Sequence, residues 1–149
     1  MAALAAIADA VRTVSVSGRS DVLSAGELAR RLALGFGFPR RRAREVAIVV
    51  CELASNLVKH AGGGEVTLTL GPAGLRPVIL VVASDHGPPI RDLAIALADG
   101  CDGEGPIDPA LLLRRGGLGT GLGAVLRFAD LFEYREEEGG KSIRVSLSA

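Results

Sequence analysis

Glu52 and Asn56 stand four residues apart in the run Glu52-Leu53-Ala54-Ser55-Asn56. On a helix that spacing makes them neighbours. One turn then offers a carboxylate able to take a proton beside an amide oxygen of the kind magnesium accepts while keeping several waters. Lys59, one turn further on the same side, could meet a phosphate. Taken alone, this stretch reads first as an ordinary helix surface. Asp85-His86-Gly87 follows the apolar run Val78–Ala83. A carboxylate at the end of a central strand can accept from an exocyclic amine such as that of adenine, and Gly87 would let backbone pass close to a ligand. Asp-His-Gly-Pro-Pro is also plain turn chemistry, and alone the turn is the better reading. The third stretch, Gly117-Leu118-Gly119-Thr120-Gly121-Leu122-Gly123, is the sharpest. Alternating glycines ahead of a helix let successive N–H groups wrap phosphates, and the helix start favours negative charge. A flexible linker is the bland alternative; the regular leucines at 118 and 122 and the helix that follows argue against it.

Two commoner nucleotide motifs are absent. Counted from Gly117, Leu122 stands where G-x-G-x-x-G needs its last glycine. Gly140-Lys141-Ser142 imitates the tail of the phosphate-loop motif, but Arg135 occupies the place of that motif's first glycine, and the segment reads as a hairpin. Arg114 and Arg115 read equally as phosphate-reaching residues or as a solvated pair. His86 reads as a loop residue, and His60 as the cap of a helix C-terminus.

The elements that must position these groups follow from periodicity. Thr13–Ser17 alternates as a strand. Ser24-Ala25-Gly26-Glu27 reads as a capping box opening a helix to about Leu34, ended near Gly35 and Gly37. Pro39 suits the first turn of a second helix, in which Val46, Val49, Val50, Leu53 and Leu57 form one inward stripe. Glu52 and Asn56 lie beside that stripe, at the edge of the core. Gly62-Gly63-Gly64 stops the helix. Glu65–Leu70 and Pro77–Ser84 read as strands around a turn at Gly71-Pro72-Ala73-Gly74. Ile90–Ala98 suits a short helix, Gly100–Pro109 a mobile loop, and Asp108–Leu113 a capped helical turn. Gly121–Leu131 reads as a helix with Leu122, Val125, Leu126 and Ala129 inward. Leu131–Arg135 and Ser142–Ser148 form a hairpin across Glu138-Gly139-Gly140. The grouping of helices and hairpins predicts a two-layer α/β sandwich, its sheet mixed or largely antiparallel with helices on one face, in one domain spanning residues 1–149.

Composition narrows the function. Lys plus Arg and Asp plus Glu number 17 each, which argues against a nucleic-acid partner, since such binders carry a basic excess. Aromatics are few, and no run of aromatic interleaved with basic residues suggests a base-stacking surface. Cys51 and Cys101 are the only cysteines and His60 and His86 the only histidines, so no zinc spacing exists and a reduced, cytoplasmic protein is expected. The apolar N-terminal run from Ala2 to Val11 contains Asp9 and lacks a basic n-region, so no signal peptide is read. No apolar stretch is long enough to span a membrane. Oligomeric state, a homodimer included, stays open.

Taken together, Glu52 to Asn56 through His60-Ala61, then Asp85-His86-Gly87, then Gly117–Gly123 resemble the motif boxes of the GHKL (Bergerat-fold) ATP-binding superfamily. From Ser15 to Ser148 the chain looks most like the small bacterial anti-sigma-factor and switch serine/threonine kinases of partner-switching pathways. The resemblance implies an α/β sandwich with ATP between its helical layer and a mobile lid. It implies magnesium at Asn56, a general base at Glu52, adenine at Asp85, and phosphates at Gly117, Gly119, Gly121 and Gly123. The implied substrate is a serine or threonine on a STAS-domain (anti-anti-sigma) protein, with a sigma factor or a phosphatase as further partners. Two departures stand out. Pro89 replaces the last glycine of the usual D-x-G-x-G, removing an N–H and fixing φ, and Gly100–Arg115 is longer than the expected lid. They motivate a second reading, a non-catalytic module that sequesters or activates a partner. The ATPase part of a sensor histidine kinase ranks lower, because no helix with a phosphoacceptor histidine precedes the site. A topoisomerase- or chaperone-type ATPase ranks lower still.

Overall fold

The computed structural model describes residues 10–90, 101–102, 105–106 and 121–149. Strand β1 (Ala10–Val16) leads into two long helices, α1 (Arg19–Gly35) and α2 (Arg40–Ala61). The hairpin β2 (Gly64–Ala73) and β3 (Arg76–Asp85) follows. Next come two minimal strands, β4 (Cys101–Asp102) and β5 (Gly105–Pro106), then the short helix α3 (Leu122–Phe128) and the closing hairpin β6 (Leu131–Glu137) and β7 (Gly140–Ser148). One five-stranded sheet runs β1-β2-β3-β7-β6, every neighbouring pair antiparallel. The expected sandwich is present, without, among the described residues, the parallel pair that a mixed sheet would contain.

One face of the sheet makes the core. Val66, Leu68 and Leu70 of β2, Ile79, Val81 and Ala83 of β3, and Ile143, Val145 and Leu147 of β7 share that face by the period of two. The whole predicted α2 stripe, Val46, Val49, Val50, Leu53 and Leu57, is buried against it. α2 packs on β1, β2 and β3 and on both other helices among the described residues. Against α1 the approach is close: α1 turns Ala25, Gly26, Ala29 and Ala33 inward, and a Cβ on Gly26 would run into Cys51 Sγ. α2 ends at Gly62, whose φ of 72° is open to glycine at little cost; the Gly63 N–H closes the end on the Leu57 carbonyl at 2.8 Å.

Four expectations need correction. The Ser24–Glu27 box lies inside α1, which starts at Arg19. The anchor is Asp21, whose carboxylate accepts from the Ser17 N–H (2.9 Å) and hydroxyl (3.1 Å), while Glu27 pairs with Arg30 three residues on. Gly71–Ala73 belongs to β2, because the ladder continues to Ala73↔Arg76 and leaves Gly74-Leu75 as the turn. Leu126 is 47% exposed: α3 buries its first four residues, Leu122 to Val125, and its far end reaches the surface. Within Gly100–Pro109, Cys101–Asp102 pairs with Gly105–Pro106 as a short ladder. The readings at Ala2–Asp9, Arg91–Ala98, Ile107–Leu113, Arg114 and Arg115 lie outside the described residues. Among the described residues no helix is long and apolar enough to cross a membrane.

Candidate nucleotide site

Three elements of the predicted site converge on α2. Its stripe seats Glu52 and Asn56 beside the core: Glu52 is buried at 3% exposure and Asn56 is half-buried. The Cys51 thiol registers the neighbouring carboxylate. Burial pushes its pKa up, and the negative charge of Glu52 pushes it further. Lys59 is exposed in the last turn with His60, where positive charge suits the helix C-terminus.

β3 delivers Asp85 to the end of that helix. A Cβ on Gly64 would touch both Leu57 Cδ2 (3.0 Å) and Asp85 Cβ (3.2 Å), and one on Gly87 would lie 2.7 Å from Ala61 Cβ. The strand end therefore rests against the last two turns of α2. Gly87 is small because a helix is there. Its N–H donates to Asp85 Oδ1 at 2.8 Å, closing a tight turn. The third element, α3, packs on α2 as well. Gly121 sits ahead of α3 with φ 80° and ψ −146°, a backbone state that favours glycine. Gly121 and Gly123 are buried, and the Leu122 side chain lies in the core, which leaves its backbone as the part a ligand could meet. Gly117, Leu118, Gly119 and Thr120 lie outside the described residues.

The segment after Asp85 is held from the β6–β7 hairpin by three contacts. Tyr134 Oη accepts the Ile90 N–H at 3.0 Å, His86 Nδ1 lies 3.2 Å from the Gly139 carbonyl, and Lys141 Nζ donates to Asp85 Oδ1 at 2.9 Å. Pro88 and Pro89 have no N–H, so Ile90 offers the next backbone donor after Gly87, and Tyr134 takes it. Burial, ahead of the Glu136 and Asp85 charges, pushes the Tyr134 hydroxyl pKa up, which keeps the phenol protonated and able to donate to Glu136 at 3.2 Å. Pro89 thus sits in a segment whose shape is fixed by its neighbours.

Lys141 is the residue that motif reading passes over. By motif it belongs only to an imitation of a phosphate-loop tail. In the structure it is the cross-strand partner of Asp85 and faces the core side, with side-chain exposures of 7% for Lys141 and 4% for Asp85. The signal was the alternation Lys141, Ile143, Val145, Leu147, which places a lysine in the inward phase of a strand. A cavity of about 340 Å³ opens at this end of the sheet, lined by Asp85, Lys141, Gly64 and Gly140 among others. Glu52 and Asn56 are not part of its lining. Among the described residues no three His, Cys, Asp or Glu side chains gather as a metal cage. Asn56 supplies a hard amide oxygen, a donor that fits magnesium held mostly by waters and phosphate oxygens.

Residues 4–147 match the family described as Histidine kinase-like ATPase domain. Over 123 residues the chain is 29% identical to the serine/threonine-protein kinase RsbT of Bacillus subtilis (strain 168), a match covering 80% of this chain and 81% of that protein. A chain in the crystal structure of the SiaB-SiaC complex from Pseudomonas aeruginosa shares the fold, with a TM-score of 0.53 at 16% identity, over 95% of this chain and 91% of that one.

Proposed function

The chain belongs to the histidine kinase-like ATPase domain family, and on that premise we propose that it is a serine/threonine protein kinase. It moves the γ-phosphate of magnesium-ATP to a hydroxyl of a STAS-domain partner in a cytoplasmic switching pathway. One observation carries the reading: Glu52 and Asn56 lie on the helix whose last turns receive Asp85 and against which α3 packs. The similarity to a serine/threonine kinase supports it.

Each residue has a role in that reaction. Asp85 accepts from the base, and Asn56 offers an amide oxygen to the metal. Backbone N–H groups from Gly117 to Gly123 orient the phosphates, and Lys59 adds positive charge. Magnesium, when bound, draws charge from the phosphate oxygens. The partner's hydroxyl oxygen bonds to the γ-phosphorus, the bond to the β–γ bridging oxygen breaks, and ADP leaves with that electron pair. Glu52 takes the hydroxyl proton. The new phosphate brings nearly two negative charges to the partner, enough to break a complementary surface. A partner that binds this chain only unphosphorylated would then be released.

The test is phosphate transfer from labelled magnesium-ATP to a recombinant STAS-domain protein. Glu52→Gln should slow transfer at least about a hundredfold, the lower end of what a general base contributes, while magnesium-ATP binding persists. Transfer that survives the substitution removes Glu52 from the role. Stoichiometric binding of the partner with no transfer by the unaltered chain would leave a binding module.

A further inference from the structure

Asp85 presents its two carboxylate oxygens differently. Oδ1 accepts from both the Gly87 N–H (2.8 Å) and Lys141 Nζ (2.9 Å), which fills its two lone pairs. Among the described residues no donor meets Oδ2, although the side chain is only 4% exposed. Lys141 is equally lopsided: an ammonium carries three donors, and one of them meets Asp85. The pair is therefore an open acceptor next to an open donor, both nearly dry, on the helix-facing side of the sheet.

Stability does not account for this pair. A buried ion pair is commonly no better than well-packed apolar residues of similar volume, and the next inward pair of the same two strands, Ala83 with Ile143, is apolar. An acceptor beside a donor is, however, the complement of the Watson–Crick edge of adenine, whose N6 amine donates and whose N1 accepts. We propose that Lys141 is a second base-reading residue: Asp85 Oδ2 takes the N6 amine and Lys141 Nζ donates to N1. The proposal rests on the nucleotide reading above and adds to it a base contact from the residue that the strand register sets opposite Asp85. The Gly87 N–H fixes Oδ1, and the hairpin contacts at His86 and Tyr134 hold the backbone segment that carries Gly87.

The experiment compares calorimetric affinities for magnesium-ATP and for magnesium 1-deaza-ATP, in which N1 is a C–H. The unaltered protein should bind the deaza analogue at least about tenfold more weakly, the scale of one hydrogen bond to a charged donor. In Lys141→Met the two affinities should be equal. If Lys141→Met does not fold, Asp85→Asn/Lys141→Met, which removes both charges, makes the same comparison. Equal affinities in the unaltered protein overturn the proposal and leave the ATP reading standing. A tenfold preference that persists without Lys141 overturns it too, since another group then reads N1. No binding of magnesium-ATP at all overturns the nucleotide reading, and this proposal with it.

Discussion

Gly140 has no side chain because the Asp85 carbonyl oxygen already occupies the place where its Cβ would project. The obstacle is backbone and cannot rotate away. Gly140→Ala should therefore cost about 1–3 kcal/mol, as overpacking does. Gly35→Ala, at a helix end with nothing within 4 Å of the added carbon, should stabilise by about 0.4–1 kcal/mol through the unfolded chain. Urea midpoints shifting in opposite directions at unchanged slope would bear this out; equal midpoints would not. At this scale the motif residues were legible because their types are unusual where they stand: a carboxylate after an apolar run, glycines before a helix. Lys141 was not, because its meaning depends on which residue lies across from it, and strand register is a property of two segments at once. Gly87 was legible as a necessary glycine but for another reason than a ligand: the neighbour that excludes a side chain is Ala61.

Three elements meet at one arginine. Arg42, in the first turn of α2, donates to the Phe128 carbonyl at the end of α3 (2.9 Å), to the Ser148 carbonyl at the end of β7 (2.8 Å), and to Glu45 and Asp130. Asp130 in turn accepts from the Ser148 N–H at 2.7 Å and hydroxyl at 2.9 Å. Asp130 is half exposed, so its ion pair alone adds little; the two carbonyls left without a donor dominate. Arg42→Met should cost about 2–3 kcal/mol, and Arg42→Lys should recover only part of it, lacking the planar fork. Equal melting temperatures for unaltered protein and Arg42→Met would refute the arrangement. Acid tests the same junction. Burial pushes the Asp130 carboxyl up, but the Ser148 donors and then Arg42 outweigh it and hold it below the ordinary 3.8. The stabilisation is complete above that value and lost as pH falls through the lower folded one. Asp130→Asn should thus show a shallower loss of melting temperature below about pH 4; an unchanged acid slope would count against the bond set. The α2 stripe was legible because 22 helical residues repeat their period many times. The seven of α3 do not, so periodicity does not fix the side on which Leu126 falls. The start of α1 is not legible, because Asp21 anchors it by reaching back to Ser17, a contact that does not resemble the Ser24–Glu27 box.

For the molecule as a whole, the class of fold was legible from the grouping of helices and hairpins. The place of β7 between β3 and β6 was not, since nothing local distinguishes pairing with β6 alone from pairing on both sides. A ligand seated where α2, β3 and α3 meet would join segments far apart in the chain and should stabilise them together. Magnesium-ATP at a hundredfold excess over Kd adds about 2.7 kcal/mol, a rise of roughly 5–10 °C in melting temperature for a domain of this size. The rise should need magnesium and be lost in Asn56→Ala; a rise unchanged by either would move the metal elsewhere.

The insertion of β7 also orders events in time. β3 pairs with β2 across a two-residue turn, but its other neighbour arrives through a loop closed between Asp85 and Lys141, 56 positions later. Contacts so distant in the chain form slowly. During vectorial synthesis at about 5–20 residues per second, the most apolar strand of the sheet waits several seconds with one bare edge. That interval, rather than any weakness of the finished fold, is when the nascent chain is most open to capture by a chaperone or by a second unfinished copy.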